Sequence, residues 1–142
     1  MSLVSKIVPD ATKAMLNTLT KSTNEEAIEL KDRVGHRIWS PERPSSQVWH
    51  NDAPAIVYLF NREHVQPGYI DCSAIFRCYG GSNQHGHARD TWKYLHAHLW
   101  ECRAVIENMG VMVLSHENTA PERTEPDTRY PVVIATYHIV VF

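Results

Sequence analysis

The sequence lacks the features that mark several large classes of protein. Its formal net charge of −2 leaves no basic excess, and lysines and arginines are scattered singly, which argues against a general nucleic-acid binder. The longest apolar run, Tyr137 to Phe142, is interrupted by His138 and is far too short to span a membrane. The first residues contain no extended apolar stretch, so we expect no signal peptide.

Cysteine pairs and catalytic motifs are missing as well. The three cysteines, Cys72, Cys78 and Cys102, have no CxxC spacing, which favours buried free thiols in a reducing compartment over a disulfide framework. The chain contains no Gly-x-Ser-x-Gly elbow, no Walker loop and no Gly-x-Gly-x-x-Gly. The sequence therefore offers no activated nucleophile and no phosphate-binding loop.

What is present predicts helices at two places. Residues 9 to 34 favour an N-terminal helix or helix pair, with Pro9 at a first helical position, a capping box from Ser22 to Glu25, and Gly35 at the end. A longer helix is predicted from 86 to 108, because its apolar residues recur in steps of four and three and share one face. These residues are Ala88, Trp92, Leu95, Leu99, Cys102 and Ile106.

Alternating or continuous apolar patterns predict five strands, at residues 37–39, 55–60, 69–79, 111–114 and 130–142. Short connections favour antiparallel pairing, with the long helix packed on one face. We therefore expect an α+β fold with a mainly antiparallel sheet of about four to five strands, one long helix and the N-terminal helix or helix pair. The apolar positions exceed what one helix covers, so either the N-terminal helix or another subunit is expected to cover the rest.

Nine histidines raise the question of a metal site. On a helix, His96 and His98 point to nearly opposite sides and cannot share one ion. His85 and His87 lie near the start of the long helix without an acidic or cysteine ligand at a recognisable spacing, so we interpret them as surface histidines. The sequence therefore predicts no metal site and no cofactor.

Two polar segments, 40–54 and 117–129, are interpreted as arms within a single domain that spans residues 1–142. Each is expected either to be a solvated loop or to become ordered against a neighbouring subunit, where opposite charges set the register. The candidate contact residues are Arg43, Trp49, His50, Glu117, Glu122, Arg123, Glu125, Asp127 and Arg129.

The whole arrangement resembles the tail-completion family of long-tailed bacteriophages, which includes the tail terminator proteins and the related head–tail joining proteins. Five segments carry the resemblance: the opening helix from Asp10 to Leu19, Val34-Gly-His-Arg-Ile38, the strand Ala53-Pro-Ala-Ile-Val-Tyr58, the strand with Asp71 that leads through a small-residue break into the long helix, and Asp127-Thr-Arg-Tyr130 with the closing strand.

The resemblance implies a structural virion protein without enzymatic activity or cofactor. Such a subunit is made in the host cytoplasm and assembles as a ring, expected to be hexameric, at the head-proximal end of the tail. There it contacts the tail tube protein, ends tube polymerisation, and forms the joining interface with the head completion or connector protein. No membrane and no sequence-specific nucleic acid is an expected partner.

Two alternatives stay open from the residues. A small-molecule-binding or regulatory α+β module would form a stable dimer around a bound ligand. A histidine-dependent enzyme, with His85 or His87 as base, would require a concave pocket with converging polar groups.

Overall fold

The computed structural model describes residues 9–40, 54–81, 86–101, 106, 108–126 and 130–142. Its elements in chain order are α1 (Ala11–Lys21), α2 (Glu25–Val34), β1 (Ile38–Trp39), β2 (Ala55–Gln66), β3 (Tyr69–Tyr79), α3 (His87–His96), β4 (Val111–Thr119), β5 (Arg123–Thr124) and β6 (Pro131–Val141). A π-helical turn, Ala97–Glu101, continues α3. The α+β class is confirmed. In the described ranges no helix combines the length and the apolar character that crossing a membrane requires.

Within the described ranges the sheet has six strands, five of them in the order β1-β2-β3-β6-β4. β5 pairs with the first residues of β6, beyond the end of β4. The pairings in the sheet are antiparallel except for β1 with β2, which is parallel. The sheet is therefore mixed, which corrects the antiparallel expectation at one edge. A parallel neighbour needs a long connection, and the chain has one between β1 and β2.

Two strands are longer than the apolar pattern predicts. β2 continues past Phe60 to Gln66, and β4 continues past Leu114 to Thr119. Their extra residues are largely polar and exposed, yet they pair with the apolar central strands β3 and β6. Pairing with a buried neighbour therefore decides strand length here, whereas side-chain hydropathy alone predicts an earlier end.

The helix starts also differ from the predicted caps. Asp10 is the N-cap of α1, and Pro9 lies outside the helix. The Asp10 side chain accepts the backbone N–H of Lys13 at 3.0 Å. Asn24, not Ser22, caps α2 by accepting from Ala27 at 2.7 Å. The Ser22 hydroxyl donates back to the Thr18 carbonyl and so serves the end of α1.

All three helices pack on one face of the sheet, which we call the inner face. Met15 and Leu19 of α1, Leu30 of α2 and Leu95 of α3 share one core with Phe76 of β3. The N-terminal helices therefore cover apolar positions of the inner face beside α3, and the described helices leave the opposite, outer face uncovered. The predicted long helix is interrupted, because the π turn follows α3 at Ala97–Glu101; residues 102–105 and 107 of its predicted range lie outside the described ones.

The outer face is closed at one end and open at the other. At the closed end, Ala55, Val57, Tyr79, Tyr130 and Val132 form a second, smaller core. At the open end, Tyr69 and Phe142 are 41% and 51% exposed. Polar residues, among them Asp71 and Ser73 of β3 and His138 of β6, lie between these ends.

Candidate functional site

Five of the residues predicted as interface contacts fall outside the described ranges. They are Arg43, Trp49, His50, Asp127 and Arg129. His85 and Cys102 also lie outside them. The other predicted contacts, Glu117, Glu122, Arg123 and Glu125, lie on β4, on β5 or beside β5.

Glu122 caps the start of α3 from a distance in sequence. Its carboxylate oxygens accept the backbone N–H of Gly86 at 2.9 and 3.1 Å and that of Arg89 at 3.2 Å. The helix has no cap of its own, because Gly86 at the N-cap position brings no side chain. A carboxylate at this position satisfies free N–H groups and interacts favourably with the helix dipole. Glu122 therefore has a clear role within its own chain.

Glu125 and Glu117 also have partners inside the chain. Glu125 accepts the hydroxyl of Tyr79 at 2.7 Å, and burial together with this carboxylate raises the pKa of Tyr79 to about 12. Glu117 accepts the hydroxyl of Ser73 at 3.2 Å. Arg123 is exposed on β5. The described part of the 117–129 segment is thus attached to the domain by three carboxylates.

His87, the described member of the predicted pair, begins α3 and is exposed. His96 and His98 bond to different parts of the molecule, since His96 contacts Tyr137 and His98 contacts Thr18. Among the described residues no group of three or more His, Cys, Asp or Glu is placed to hold a metal ion.

A polar pocket of about 160 Å³ lies where β2 bulges against β3. The register shifts between Asn61 and His64, so that Arg62 and Glu63 face the single residue Cys72 of β3. We call the cavity the bulge pocket. It is lined by Arg62, His64, Asp71, Cys72, Ser73, Glu117 and His138.

Arg62 adopts a left-handed backbone conformation, with φ of 53°. This is the position of a β-bulge at which glycine is usual, because a side chain there brings Cβ too close to the following carbonyl. The side-chain oxygen of Asn61 accepts the Arg62 N–H at 2.8 Å and supports the turn. Strained residues of this kind concentrate at functional sites.

The central strands place the acid–base groups of the pocket. His138 on β6 lies directly opposite Ser73 on β3, and its Nε2 is 2.5 Å from Oδ1 of Asp71. Ser73 donates to Glu117 instead of to His138, so these side chains do not form a serine–histidine–aspartate relay.

The two described cysteines, Cys72 and Cys78, are buried thiols and not activated nucleophiles. Burial, with smaller contributions from Glu63 and Asp71, raises the pKa of Cys72 to about 12. Burial also raises the pKa of Cys78. Both thiols are buried, which confirms their interpretation as core residues.

A second histidine cluster lies on the inner face between α3 and β4. His96 and His116 are 4.9 Å apart between ring centroids, and Trp92 and Tyr137 pack around them. Trp92 donates to the Tyr137 oxygen at 3.2 Å, which leaves the tyrosine proton to be donated to Nδ1 of His96 at 2.7 Å. Burial and the neighbouring His116 lower the pKa of His96. The cluster therefore holds a neutral imidazole in a packed interface.

The bulge pocket was not predicted from the sequence. Its signals were present in retrospect, since Asp71 and Ser73 occupy the polar register of β3 and His138 interrupts the apolar run of β6. What the sequence does not contain is the pairing of β3 with β6, which brings these positions together.

Neither the protein-family models nor the curated proteins with which the sequence was compared match this chain.

Proposed function

We propose that the chain is a structural subunit of a bacteriophage tail. In this proposal copies of the chain form a ring, expected to be hexameric, at the head-proximal end of the tail tube. The ring ends tube polymerisation and presents a joining surface to the head connector. The resemblance in sequence suggests this role, and an open apolar surface on the domain supports assembly.

That surface is the observation that carries the proposal. At the open end of the outer face, Tyr69, Leu114 and Phe142 are 41%, 42% and 51% exposed, with Met112 and Val140 half-buried beside them. We call these five residues the open-end patch. Neighbouring strands place them together, because Ile70 pairs with Val141, which in turn pairs with Val111. Contiguous exposed apolar residues of this kind often mark protein–protein contact sites.

Two of the predicted contact residues in the segment 117–129, Glu122 and Glu125, are also bonded within the domain. Because Glu122 and Glu125 have hydrogen bonds within the domain, reversing their charge would damage the fold as well as any subunit contact. Arg123 is exposed and is the better probe of contacts made by this segment.

The test compares ring assembly in two double variants. One replaces apolar residues of the open-end patch, and the other replaces equally exposed apolar residues of the helical layer. Native mass spectrometry over a concentration series, with negative-stain images of large species, is applied to Tyr69→Ser/Leu114→Ser. The matched control is Leu16→Ser/Ile28→Ser, on α1 and α2, whose residues are 40% and 45% exposed.

We expect the wild type and the control to form a closed ring, alone or with purified tails, and the open-end patch variant to form none. A ring that survives in the patch variant would contradict the use of this surface. A stable wild-type dimer carrying a small molecule would contradict the structural role.

A binding module is the second candidate, because the bulge pocket has the concave shape and converging polar groups that this alternative requires. His87, which the enzyme alternative used as a base, is not among the residues that line it, and His85 lies outside the described ranges.

A further inference from the structure

The bulge pocket brings together exposed groups of both charge signs that keep donors or acceptors free for a further partner. Within the described part of the chain, the guanidinium of Arg62 has no hydrogen-bond or ion-pair partner, and neither has the ring of His64. On the other side of the cavity, Asp71 and Glu117 each bond through one oxygen only, to His138 and to Ser73. Each carboxylate therefore keeps one oxygen for a further donor.

The order of the strands separates these groups. Arg62 and His64 lie on β2, Asp71 on β3, and Glu117 on β4 beyond β6. A bound molecule that lies across the strands would therefore meet a cation at the β2 end and acceptors toward β4.

The backbone of Arg62 adds a second, independent observation. Glycine would occupy this left-handed position without steric strain, whereas arginine costs roughly 1 to 2 kcal/mol there. No intramolecular contact of the guanidinium in the described residues offsets that cost. An external partner for the guanidinium would explain why a charged side chain occupies the position.

Simpler ligands fit the pocket less well. A metal ion lacks the three converging ligands it would need among the described residues. An inorganic anion would meet Asp71 and Glu117, and a simple cation would meet Arg62. A molecule with one group of each sign satisfies both sides.

We propose that the bulge pocket binds a small zwitterion of the size and chemistry of a free amino acid. The carboxylate of the ligand pairs with Arg62, assisted by His64, and its ammonium group donates to the free oxygens of Asp71 and Glu117. Arginine is suited to this task because its planar donors match a carboxylate bidentately. The inference goes beyond the structural role and does not depend on ring assembly.

The test is isothermal titration calorimetry of the full chain with each of the common amino acids. Matched compounds that lack one charge serve as probes of each half of the site: methylamine and acetate for glycine, ethylamine and propionate for alanine. We expect at least one amino acid to bind, and its single-charge counterparts to bind at least about ten-fold more weakly, since each loses one charged hydrogen-bonded pair.

Variants at Arg62 and at Glu117 test the two halves of the site separately. Arg62→Gly removes the guanidinium while suiting the left-handed backbone, so it is expected to fold at least as stably as the wild type and to lose binding by about ten-fold or more. Arg62→Asn, which also tolerates this conformation, is the second variant and should give the same loss. Glu117→Gln should weaken the binding of the amino acid, whereas the binding of acetate or propionate should not weaken, because the variant removes a negative charge from the pocket.

The proposal is overturned if no amino acid binds at millimolar concentration, if a single-charge counterpart binds as tightly, or if Arg62→Gly binds normally. Native mass spectrometry of the wild-type chain, with and without the amino acid, keeps the two proposals separate. A wild-type ring without amino-acid binding would contradict the ligand site alone, and wild-type binding without any ring, alone or with purified tails, would contradict the structural role alone.

Discussion

The two faces of the sheet differ sharply although the same strands build both. On β3, Phe76 points to the inner face and is fully buried, whereas the preceding Ile75 points to the outer face and is half-buried. The inner face carries three helices and one continuous core. The outer face carries a small core at one end, a polar pocket in the middle and exposed apolar residues at the other end.

The difference shows that one face of a sheet can provide most of the stability of a small domain while the other face keeps groups exposed for contacts. The inner face buries the larger core and so provides most of the hydrophobic stabilisation. The outer face can therefore retain a strained bulge, which reduces stability, and exposed charged groups that are free for external contacts. A variant on each face should reveal this division directly.

The largest expected effect separates adjacent residues of β3. Phe76→Ala should lower the free energy of unfolding by about 3 to 5 kcal/mol, because it leaves a cavity among helices and strands. Ile75→Ala should lower it by about 1 kcal/mol, since its side chain is already partly in water. Urea denaturation of both variants gives the comparison. Equal losses would mean that the outer face is covered as completely as the inner one.

The second prediction concerns pH and the buried histidine of the inner layer. His98 is fully buried, and its bonds to Asn24 and to the Thr18 carbonyl, each 3.0 Å, require a neutral ring that accepts at Nδ1 and donates from Nε2. Burial lowers the pKa of His98, and the pKa of His96 is lowered as well.

The folded state therefore binds fewer protons than the unfolded state below the unfolded pKa of 6.5. Stability should be fully present above that pH and should be lost as the pH falls from 6.5 toward the folded pKa values. His98→Gln should lower stability at pH 8 by about 2 kcal/mol, for lost buried hydrogen bonds. The urea concentration at the midpoint of unfolding should also depend less on pH in this variant than in the wild type between pH 7 and 5. A variant profile parallel to the wild type would refute the assignment to His98.

The smallest expected effect on stability concerns Glu122, whose carboxylate caps the start of α3. Glu122→Ala should lower the free energy of unfolding by about 1 kcal/mol, because the start of α3 loses its cap. The neighbouring Arg123→Ala should change it by less than about 0.5 kcal/mol, since that side chain is exposed. Hydrogen exchange at the amides of Gly86 and Arg89 should increase in the first variant only. Unchanged exchange there would show that the cap does not protect the helix.

The inner face could be predicted well from the sequence. Strict alternation on β3 predicts its bounds, Tyr69–Tyr79, and the buried residues of its inner face, because period-two burial is a local property. It does not predict the burial of Ser73 and Tyr79 on the outer face. The second half of the predicted long helix was misjudged. Its apolar stripe persists through Leu99, which is buried, but nothing in that stripe distinguishes a π turn from a regular helix.

The outer face could not be predicted in the same way, because its features depend on pairing between distant segments. Glu122 lies 36 residues from the Gly86 N–H group that it accepts, and Asp71 lies 67 residues from His138. No local pattern encodes such partners. The bulge was equally hidden, since Arg62 carries none of the glycine signal that usually marks its conformation.

The π turn at Ala97–Glu101 has a consequence for chain length in evolution. A π turn accommodates one more residue than an α-helical turn over the same rise, so it marks a place where a single-residue insertion is absorbed without a loop. Homologues with a one-residue gap here would restore a regular helical turn over the same rise, so the side chains at the positions of Leu95 and Ile106 would both keep their places in the core. Such homologues should therefore need no compensating changes on the inner face of β4 and β6.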